Sequence, residues 1–355
     1  MSLLAKDSAR QGEGTQPSVA DIVEDVRRRG DAAVRQWSTR LDGADPARAE
    51  AGDGLPVASV LAAADTIRRW HELQVPQTVR LEVRPGVTLE RRWVPLGRIG
   101  IYVPAGLVST LLMAAVPAQL AGVENIVVCT PPRGAGLVAA TAHLLGLRDV
   151  WAVGGPQAIA AMAYGSESIA AVDKIVGPGN SYVNEAKLLV ARDVAIDLPA
   201  GPSEVLVVAD PGVDRRLVEL ELAAQREHGP DATGDVIYCG DDLDAVLDEI
   251  DARAPEHVAL LGERAESLAR RIRNAGAVFV GASSPVPTGD YATGGNHILP
   301  TGRWARSAGG VGVETFMKPV TVQHLTQEGL ALVRPVAEEL ARLENMTAHA
   351  AALER

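Results

Sequence analysis

Aromatic residues are scarce in this 355-residue chain: they make up 3% of it, so small and branched aliphatic side chains must fill the interior. The chain has only two cysteines, Cys129 and Cys239, which excludes a disulfide framework and a cysteine-rich zinc site. Both end apolar, strand-like runs, where a small buried thiol is expected. Basic residues are also in deficit. The formal net charge of -11 argues against nucleic acid as a partner, because phosphates need a basic surface.

Long hydrophobic runs of membrane-spanning length are missing as well. Residues 107–123 (LVSTLLMAAVPAQLAGV) carry no charge, but they contain Pro117 and Gln119 and are short for a membrane span. We therefore expect a buried helix there and no membrane partner. The first residues, MSLLAKDSARQGEGTQ, lack the apolar region and cleavage site of a signal peptide, and we expect a cytoplasmic protein.

A regular alternation of strand-like and helix-like segments begins at about residue 121. Short β-branched runs such as ENIVVCT are followed by alanine- and leucine-rich stretches such as GLVAATAHLLG, with Gly or Pro at nearly every junction. This pattern predicts an α/β fold of parallel strands with crossover helices, and its length favours two doubly wound sheets. Before residue 100 we expect a helical hairpin followed by strands. After residue 311 we expect a helical tail with no strand partner.

Several glycine-rich junctions could bind an anion. Residues 177–182 (GPGNSY) follow a predicted strand and open a helix, and residues 152–161 (AVGGPQAIAA) form another strand-to-helix turn. Backbone amides at such turns can receive a cofactor phosphate. Each turn alone is a weak signal, because Gly-Pro turns occur in any α/β protein. Neither the G-x-G-x-x-G fingerprint nor a P-loop is present.

Gln225 and His228 end a helical run, DRRLVELELAAQ, that stops at Gly-Pro. At this spacing both side chains should face the same way on the last helical turn. A capped helix end with an exposed histidine is the more common arrangement for such a motif alone.

Other ionisable groups cluster in three places. Glu256 and His257 adjoin at a strand entrance, where a carboxylate beside an imidazole suits acid–base catalysis, although a surface turn is the simpler interpretation. Polar side chains fill the glycine-rich loop 289–302, and Glu344 and His349 lie in the tail. The Gln225 amide with His228, Asp290 and His349 would give a zinc-type N/O ligand set, but spacing alone leaves this open.

Eight motifs, taken in order, resemble those of the histidinol dehydrogenase family and cover the chain from about residue 20 to its end. They are GIYVPAG, VGGPQAIAAMAYG, VDKIVGPGNSYVNEAK, DLPAGPSEVLVVAD, QREHGPDA, PEHVALL, GDYATGGNHILPTG and TAHAAALER. The resemblance implies a zinc enzyme that oxidises L-histidinol to L-histidine in two steps with two NAD. It also implies a homodimer of incomplete Rossmann-like domains whose helical C-terminal tails are exchanged.

The resemblance also assigns residues to roles. It implies that zinc is bound by Gln225, His228, Asp290 and, from the partner subunit, His349, and that these residues also surround the substrate. Glu256 and His257 match the catalytic pair. Substrate contacts match Ser203, His297 and Glu344, and NAD contacts match Tyr102, Gln157 and Asn180. The expected domains are an N-terminal helical extension (1–24), a first Rossmann-like domain (25–101 with 205–311), a second (102–204) and a dimerisation tail (312–355).

The chain departs from the family pattern at a few positions. Arg226 stands where alanine is usual, and a helix geometry places its side chain about 100° away from Gln225. The segments after YVPAG, between His228 and Glu256, and around residues 40–60 are shorter than usual. A paralogue that oxidises another amino alcohol or hydroxy compound is therefore an alternative, as is a non-catalytic zinc-binding homologue.

Overall fold

A computed structural model describes residues 17–199 and 201–354, which form an α/β fold with three sheets. The α-helices are α1 (Val19–Arg29), α2 (Asp31–Leu41), α3 (Val57–Glu72), α4 (Val108–Leu120), α5 (Ala135–Leu144), α6 (Gly155–Tyr164), α7 (Ser181–Val190), α8 (Arg215–Arg226), α9 (Leu243–Arg253), α10 (Glu263–Glu266), α11 (Pro287–Tyr291), α12 (Gln327–Leu343) and α13 (Thr347–Ala352). The strands are β1 (Ala47–Arg48), β2 (Val79–Arg84), β3 (Val87–Pro95), β4 (Arg98–Tyr102), β5 (Asn125–Thr130), β6 (Asp149–Ala152), β7 (Lys174–Val176), β8 (Ala195–Ile196), β9 (Glu204–Ala209), β10 (Thr233–Tyr238), β11 (His257–Leu261), β12 (Ala277–Val280) and β13 (Met317–Leu325).

The larger sheet has six strands in the order β1-β6-β5-β4-β7-β8. All its strand pairs are parallel except β1 with β6. The central strands β4 and β5 are apolar and almost wholly buried, as expected for a parallel sheet that helices cover on both faces. The predicted alternation is confirmed here. Helix α4, the uncharged segment near residues 107–123, is buried against this sheet, also as predicted.

The second sheet has four parallel strands in the order β10-β9-β11-β12. Its central strand β11 is buried along its whole length, and β9 is buried from Val205 onward. In register, His257 at the start of β11 lies opposite Val205 near the start of β9. The residues just before these two strands therefore meet at the amino edge of this sheet.

The third sheet corrects the prediction for the tail. Residues Met317–Leu325 form β13, which pairs antiparallel with β3 over nine residue pairs, in the sheet β13-β3-β2. The expectation of a tail with no strand partner, helical from residue 312, is wrong for this segment. Its side chains are mostly exposed, so it lacks the continuous buried apolar run that marks strands such as β5. Helices α12 and α13 do form as predicted.

Three of the expected domain boundaries fall inside elements of regular structure. Residue 24 lies within α1, the boundary after residue 204 cuts β9, and residue 101 lies within β4, which pairs with β5 and β7 in the middle of the six-stranded sheet. The hairpin α1–α2 packs on α6 of the same sheet. The division into two Rossmann-like domains stays a prediction.

Two further expectations concern the cysteines and the membrane. Cys129 and Cys239 are both buried and free, as predicted. Over residues 17–199 and 201–354, the helices are all too short or too polar to cross a lipid bilayer.

Candidate active site

The carboxylate of Glu256 is held by groups from two neighbouring strands. Glu256 directly precedes β11, and its Oε2 accepts hydrogen bonds from Ser203 Oγ at 2.6 Å and from the Glu204 backbone N–H at 2.9 Å. The parallel pairing of β9 with β11 brings these groups together. Ser203 thus contacts the predicted catalytic carboxylate, in addition to any role with substrate.

His257 begins β11, and the tautomer of its neutral ring follows from its hydrogen bonds. Its Nδ1 lies 3.1 Å from the backbone oxygen of Glu204 and 3.4 Å from Glu256 Oε2. A carbonyl oxygen can only accept, so Nδ1 carries the hydrogen and Nε2 of the neutral ring keeps a free lone pair. The ring is therefore set up to accept a proton at Nε2.

Glu256 and His257 each shift the pKa of the other. Both residues are buried, with 7% and 3% of their surface exposed. Burial alone raises the pKa of Glu256, but its hydrogen bonds and the nearby imidazole outweigh burial and lower that pKa below its usual value. Burial alone lowers the pKa of His257. The hydrogen bond and the charge of Glu256, together with the charge of Asp290, outweigh burial, so the pKa of His257 is raised above its usual value.

A cavity of about 370 Å³ opens beside this pair, lined by His257, Asp290 and His297 among others. Asp290 lies on α11, and His297 Nδ1 is 3.1 Å from the Asp290 backbone oxygen and 3.8 Å from its Oδ1. Burial lowers the pKa of His297 despite the charge of Asp290. The structure thus brings together three of the predicted site residues around one cavity.

Gln225 is buried near the end of α8, and the nitrogen of its side-chain amide lacks a hydrogen-bond partner among the described residues. Its side chain is 3% exposed, and in the described part of the chain Nε2 makes no hydrogen bond. Helix α8 ends at Arg226, so His228 lies in the following turn and not on the last helical turn as predicted. Gly229, whose φ of +123° lies outside the helical region, and Pro230 follow His228 and keep the helix from continuing past this turn. His228 and Arg226 are both exposed, so Arg226 does not share the burial of Gln225.

The zinc ligands implied by the resemblance do not all meet within one chain. Over the described residues, no three His, Cys, Asp or Glu side chains converge as a metal site. His349 in α13 and Glu344 at the end of α12 are exposed, and neither lines the cavity. The chemistry of the donor set still fits zinc. The Gln225 side-chain amide can rotate so that its oxygen takes the place of the unpartnered Nε2, and imidazole and carboxylate groups complete an N/O set.

The three predicted NAD contacts lie at the carboxyl edge of the six-stranded sheet, around the starts of α6 and α7. The Tyr102 hydroxyl accepts from the Gly155 N–H at 3.2 Å, and burial raises the pKa of Tyr102 to about 12. Gln157 is fully buried, and its Oε1 makes no hydrogen bond within the described residues. Asn180 caps α7 through a bond from the Val183 N–H to its Oδ1 at 3.1 Å.

Sequence reasoning missed two acidic residues of the site. Asp42 follows α2, and its Oδ2 accepts from Gln157 Nε2 and the Gly154 N–H, both at 3.1 Å. Nothing in its local sequence marks it. Glu221 lies one helical turn before Gln225 and accepts from the Val286 N–H at 3.2 Å, at the start of the helix that carries Asp290. Its i, i+4 spacing from Gln225 is the signal that could have identified it.

Parallel α/β sheets with a buried carboxylate–imidazole pair beside a cavity define an enzyme that can do acid–base chemistry. The family model for histidinol dehydrogenase matches residues 5–237 and 232–355. Histidinol dehydrogenase from Methanothermobacter thermautotrophicus is 38% identical over 393 residues, covering 95% of this chain and 92% of that protein. The enzyme of that name from Xanthomonas euvesicatoria is 40% identical over 395 residues, covering 96% of this chain and 92% of that protein.

A solved structure agrees with the sequence comparisons. Histidinol dehydrogenase from Elizabethkingia anophelis superposes with a TM-score of 0.88 at 33% identity, covering 98% of this chain and 93% of that chain. The chain belongs to the histidinol dehydrogenase family. The family and enzyme class predicted from the motifs, an oxidoreductase of the histidinol dehydrogenase type, are thereby confirmed.

Proposed function

We propose that this protein oxidises L-histidinol to L-histidine through an aldehyde-level intermediate, with zinc and two NAD. The observation that carries the proposal is the buried pair of Glu256 and His257, whose tautomer is fixed, beside the cavity that Asp290 and His297 line. When bound, NAD would accept the hydride, and zinc would supply a Lewis acid that holds the substrate in place.

His257 is the base of the first oxidation. Its Nε2 lone pair takes the proton of the substrate hydroxyl as the hydride leaves, and the Glu204 carbonyl keeps the other ring nitrogen protonated. The carboxylate of Glu256 stabilises the imidazolium that forms, which is the same interaction that raises the pKa of His257.

Glu256 is the base of the second oxidation. The two donors from Ser203 and Glu204 both bond to Oε2, and over the described residues Oε1 makes no hydrogen bond. Oε1 can therefore take a proton from the water that attacks the aldehyde carbon. The lowered pKa of Glu256 keeps it ionised at neutral pH, as this role requires. Since the aldehyde is reactive, both steps proceed in one pocket, so that the intermediate is not released between them.

The residues that would hold zinc are Gln225, His228 and Asp290 of one subunit and His349 of the partner subunit. The unpartnered Gln225 Nε2 supports the ligands from one subunit. An exposed apolar stripe on α12 supports the ligand from the partner subunit: Leu332, Val336, Leu340 and Leu343 are 48%, 55%, 52% and 75% exposed. Their spacing places them on one helix face, which would be covered if the tail packs on another copy of the chain. Glu344 would enter the site with that tail and contact the substrate.

The cofactor would lie along the starts of α6 and α7. Tyr102 and Gln157 lie at the start of α6 and Asn180 lies at the start of α7. The unpartnered Gln157 Oε1 is a buried acceptor that a ribose hydroxyl or carboxamide N–H of NAD could satisfy. We place the enzyme in the cytoplasm, where its two free cysteines would stay reduced.

The proposal is tested by mixing the purified protein with zinc, NAD and L-histidinol and following NADH absorbance. We expect NADH to form with L-histidinol, at a rate well above that with other amino alcohols and hydroxy acids. Faster turnover of one of those compounds would identify a paralogue. Bound zinc without turnover of any compound would identify a non-catalytic homologue.

The pH dependence of the first hydride transfer gives a second expected result. His257 must be neutral to act, and its pKa lies above the usual value of about 6.5, so the rate constant should fall as pH drops through that raised pKa. Glu256→Gln removes the neighbouring charge and lowers the pKa of His257, so the acid limb should move to lower pH. The measurement is a stopped-flow NADH burst across pH.

Ser203→Ala is the matched control for this pH profile, because it removes a hydrogen bond to Glu256 but keeps its charge. Its acid limb should stay close to that of the parent. An acid limb that stays in place or moves to higher pH in Glu256→Gln would contradict the assignment of His257 as the base.

A further inference from the structure

A buried ion pair lies beside residues 177–180, which include the predicted NAD contact Asn180. Lys187 Nζ is 2.5 Å from Asp197 Oδ1, and each side chain is 2% exposed. Lys187 comes from the middle of α7, and Asp197 follows β8 directly. A buried ion pair adds little net stability, because desolvation of the two charges offsets their attraction. Stability alone therefore does not explain the pair, and its other hydrogen bonds indicate what it holds in place.

The other side-chain hydrogen bonds of the pair both go to one residue, Gly177. Lys187 Nζ donates to the Gly177 backbone oxygen at 2.9 Å, and the Gly177 N–H donates to Asp197 Oδ2 at 2.8 Å. Gly177 is the first residue after β7 and opens the turn 177–180 (GPGN) that leads into α7. The ion pair thus holds both backbone groups of the residue at which this turn begins.

The turn also packs directly against Tyr102. Gly177 has a φ of +117°, and a Cβ built on it would overlap the Tyr102 backbone oxygen, so only glycine fits. At the other end of the turn, Asn180 caps α7 and Asn184 Nδ2 donates to the Gly179 oxygen at 2.9 Å. The turn is therefore held between the ion pair and Tyr102, and it carries Asn180.

We propose that Lys187 and Asp197 are positioning residues for NAD. By fixing the backbone of Gly177, the pair sets the turn 177–180 so that Tyr102 and Asn180 present their polar groups to the same dinucleotide. Both charged side chains are buried and act through the turn, without contact to the cofactor. This inference rests on the proposed function, because that proposal makes Tyr102 and Asn180 cofactor contacts.

The test separates positioning from simple stabilisation. Lys187→Met or Asp197→Leu alone leaves a buried charge unpaired and should lower the melting temperature strongly. The double variant Lys187→Met/Asp197→Leu removes both charges and fills the space with apolar atoms, so it should melt at a higher temperature than either single variant. It stays below the parent, because the N–H and the oxygen of Gly177 lose their partners. The Kd of NAD for the full-length protein is then measured by calorimetric titration.

We expect the double variant to bind NAD about 10- to 100-fold more weakly than the parent, because its turn is no longer fixed. Val190→Ala is the control: it opens a cavity at the far end of α7, and should lower the melting temperature without changing the Kd of NAD. If the double variant unfolds, Lys187→Met/Asp197→Asn replaces it: it holds no buried charge and keeps an acceptor for the Gly177 N–H, but it removes the donor to the Gly177 oxygen. Its Kd, compared at equal melting temperature with Val190→Ala, should still rise.

Two outcomes would overturn the inference. If the double variant binds NAD as tightly as the parent while Gln157→Ala weakens binding, then Lys187 and Asp197 are structural only and the proposed function stands. If the parent itself does not bind NAD, the proposed cofactor fails and the positioning role fails with it.

Discussion

His257→Ala should lower kcat for the oxidation of L-histidinol by about 100- to 10,000-fold, the range that general-base catalysis contributes. The physical reason is the geometry of the imidazole: Nδ1 is committed to the Glu204 carbonyl, so Nε2 is the one basic nitrogen of this residue that can accept the substrate proton. The measurement is steady-state NADH formation at saturating NAD and L-histidinol.

His257→Asn provides the control for this prediction. Its amide N–H can still donate to the Glu204 carbonyl and so preserve the local structure, but it has no basic nitrogen. We expect His257→Asn to bind zinc as the parent does and to be about as slow as His257→Ala. Retention of parent-like kcat in His257→Asn would show that another group takes the proton.

The second large effect concerns the tail. His349→Ala should raise the Kd for zinc by more than about 100-fold, since changes outside the ligand shell alone cost 10- to 100-fold. In the proposed dimer the missing ligand comes from the partner subunit, because within one described chain His349 is exposed and does not line the cavity. Zinc affinity is measured by competition with a chelating dye.

Mixing two inactive variants tests whether the site is shared. Asp290→Ala and His349→Ala should each be inactive alone. A heterodimer of the two has one intact site if Asp290 and His349 come from different subunits, so random mixing should restore about one quarter of the parent activity. If all ligands come from one chain, every site in the mixture is damaged and no activity returns.

Sequence patterns were sufficient for the parallel sheets and for the strands before residue 100, but not for β13 of the third sheet. Buried strands such as β5 are short, apolar and bounded by Gly or Pro, so their type can be predicted from local composition. The strand Met317–Leu325 is largely exposed, and its structure depends on pairing with β3, which lies far away in the sequence. Local patterns contain no information on such a partner.

The candidate site shows the same division between local and distant information. Glu256 and His257 adjoin in the sequence, so their pairing could be predicted. That Ser203 and Glu204 fix them depends on the register of β9 with β11, which the sequence does not contain. Lys187 could have been noticed as a charge on the buried face of α7 beside Val183, Ala186 and Val190. Its partner Asp197 and their common target Gly177 required the fold.

The stoichiometry of the complete reaction tests the central claim most directly. A limiting, known amount of L-histidinol is consumed by the protein with zinc and excess NAD, and the NADH and L-histidine formed are both quantified. Two NADH and one L-histidine for each L-histidinol is the result we predict. One NADH with release of the aldehyde, or no NADH at all, would contradict the assignment of one pocket to both oxidations.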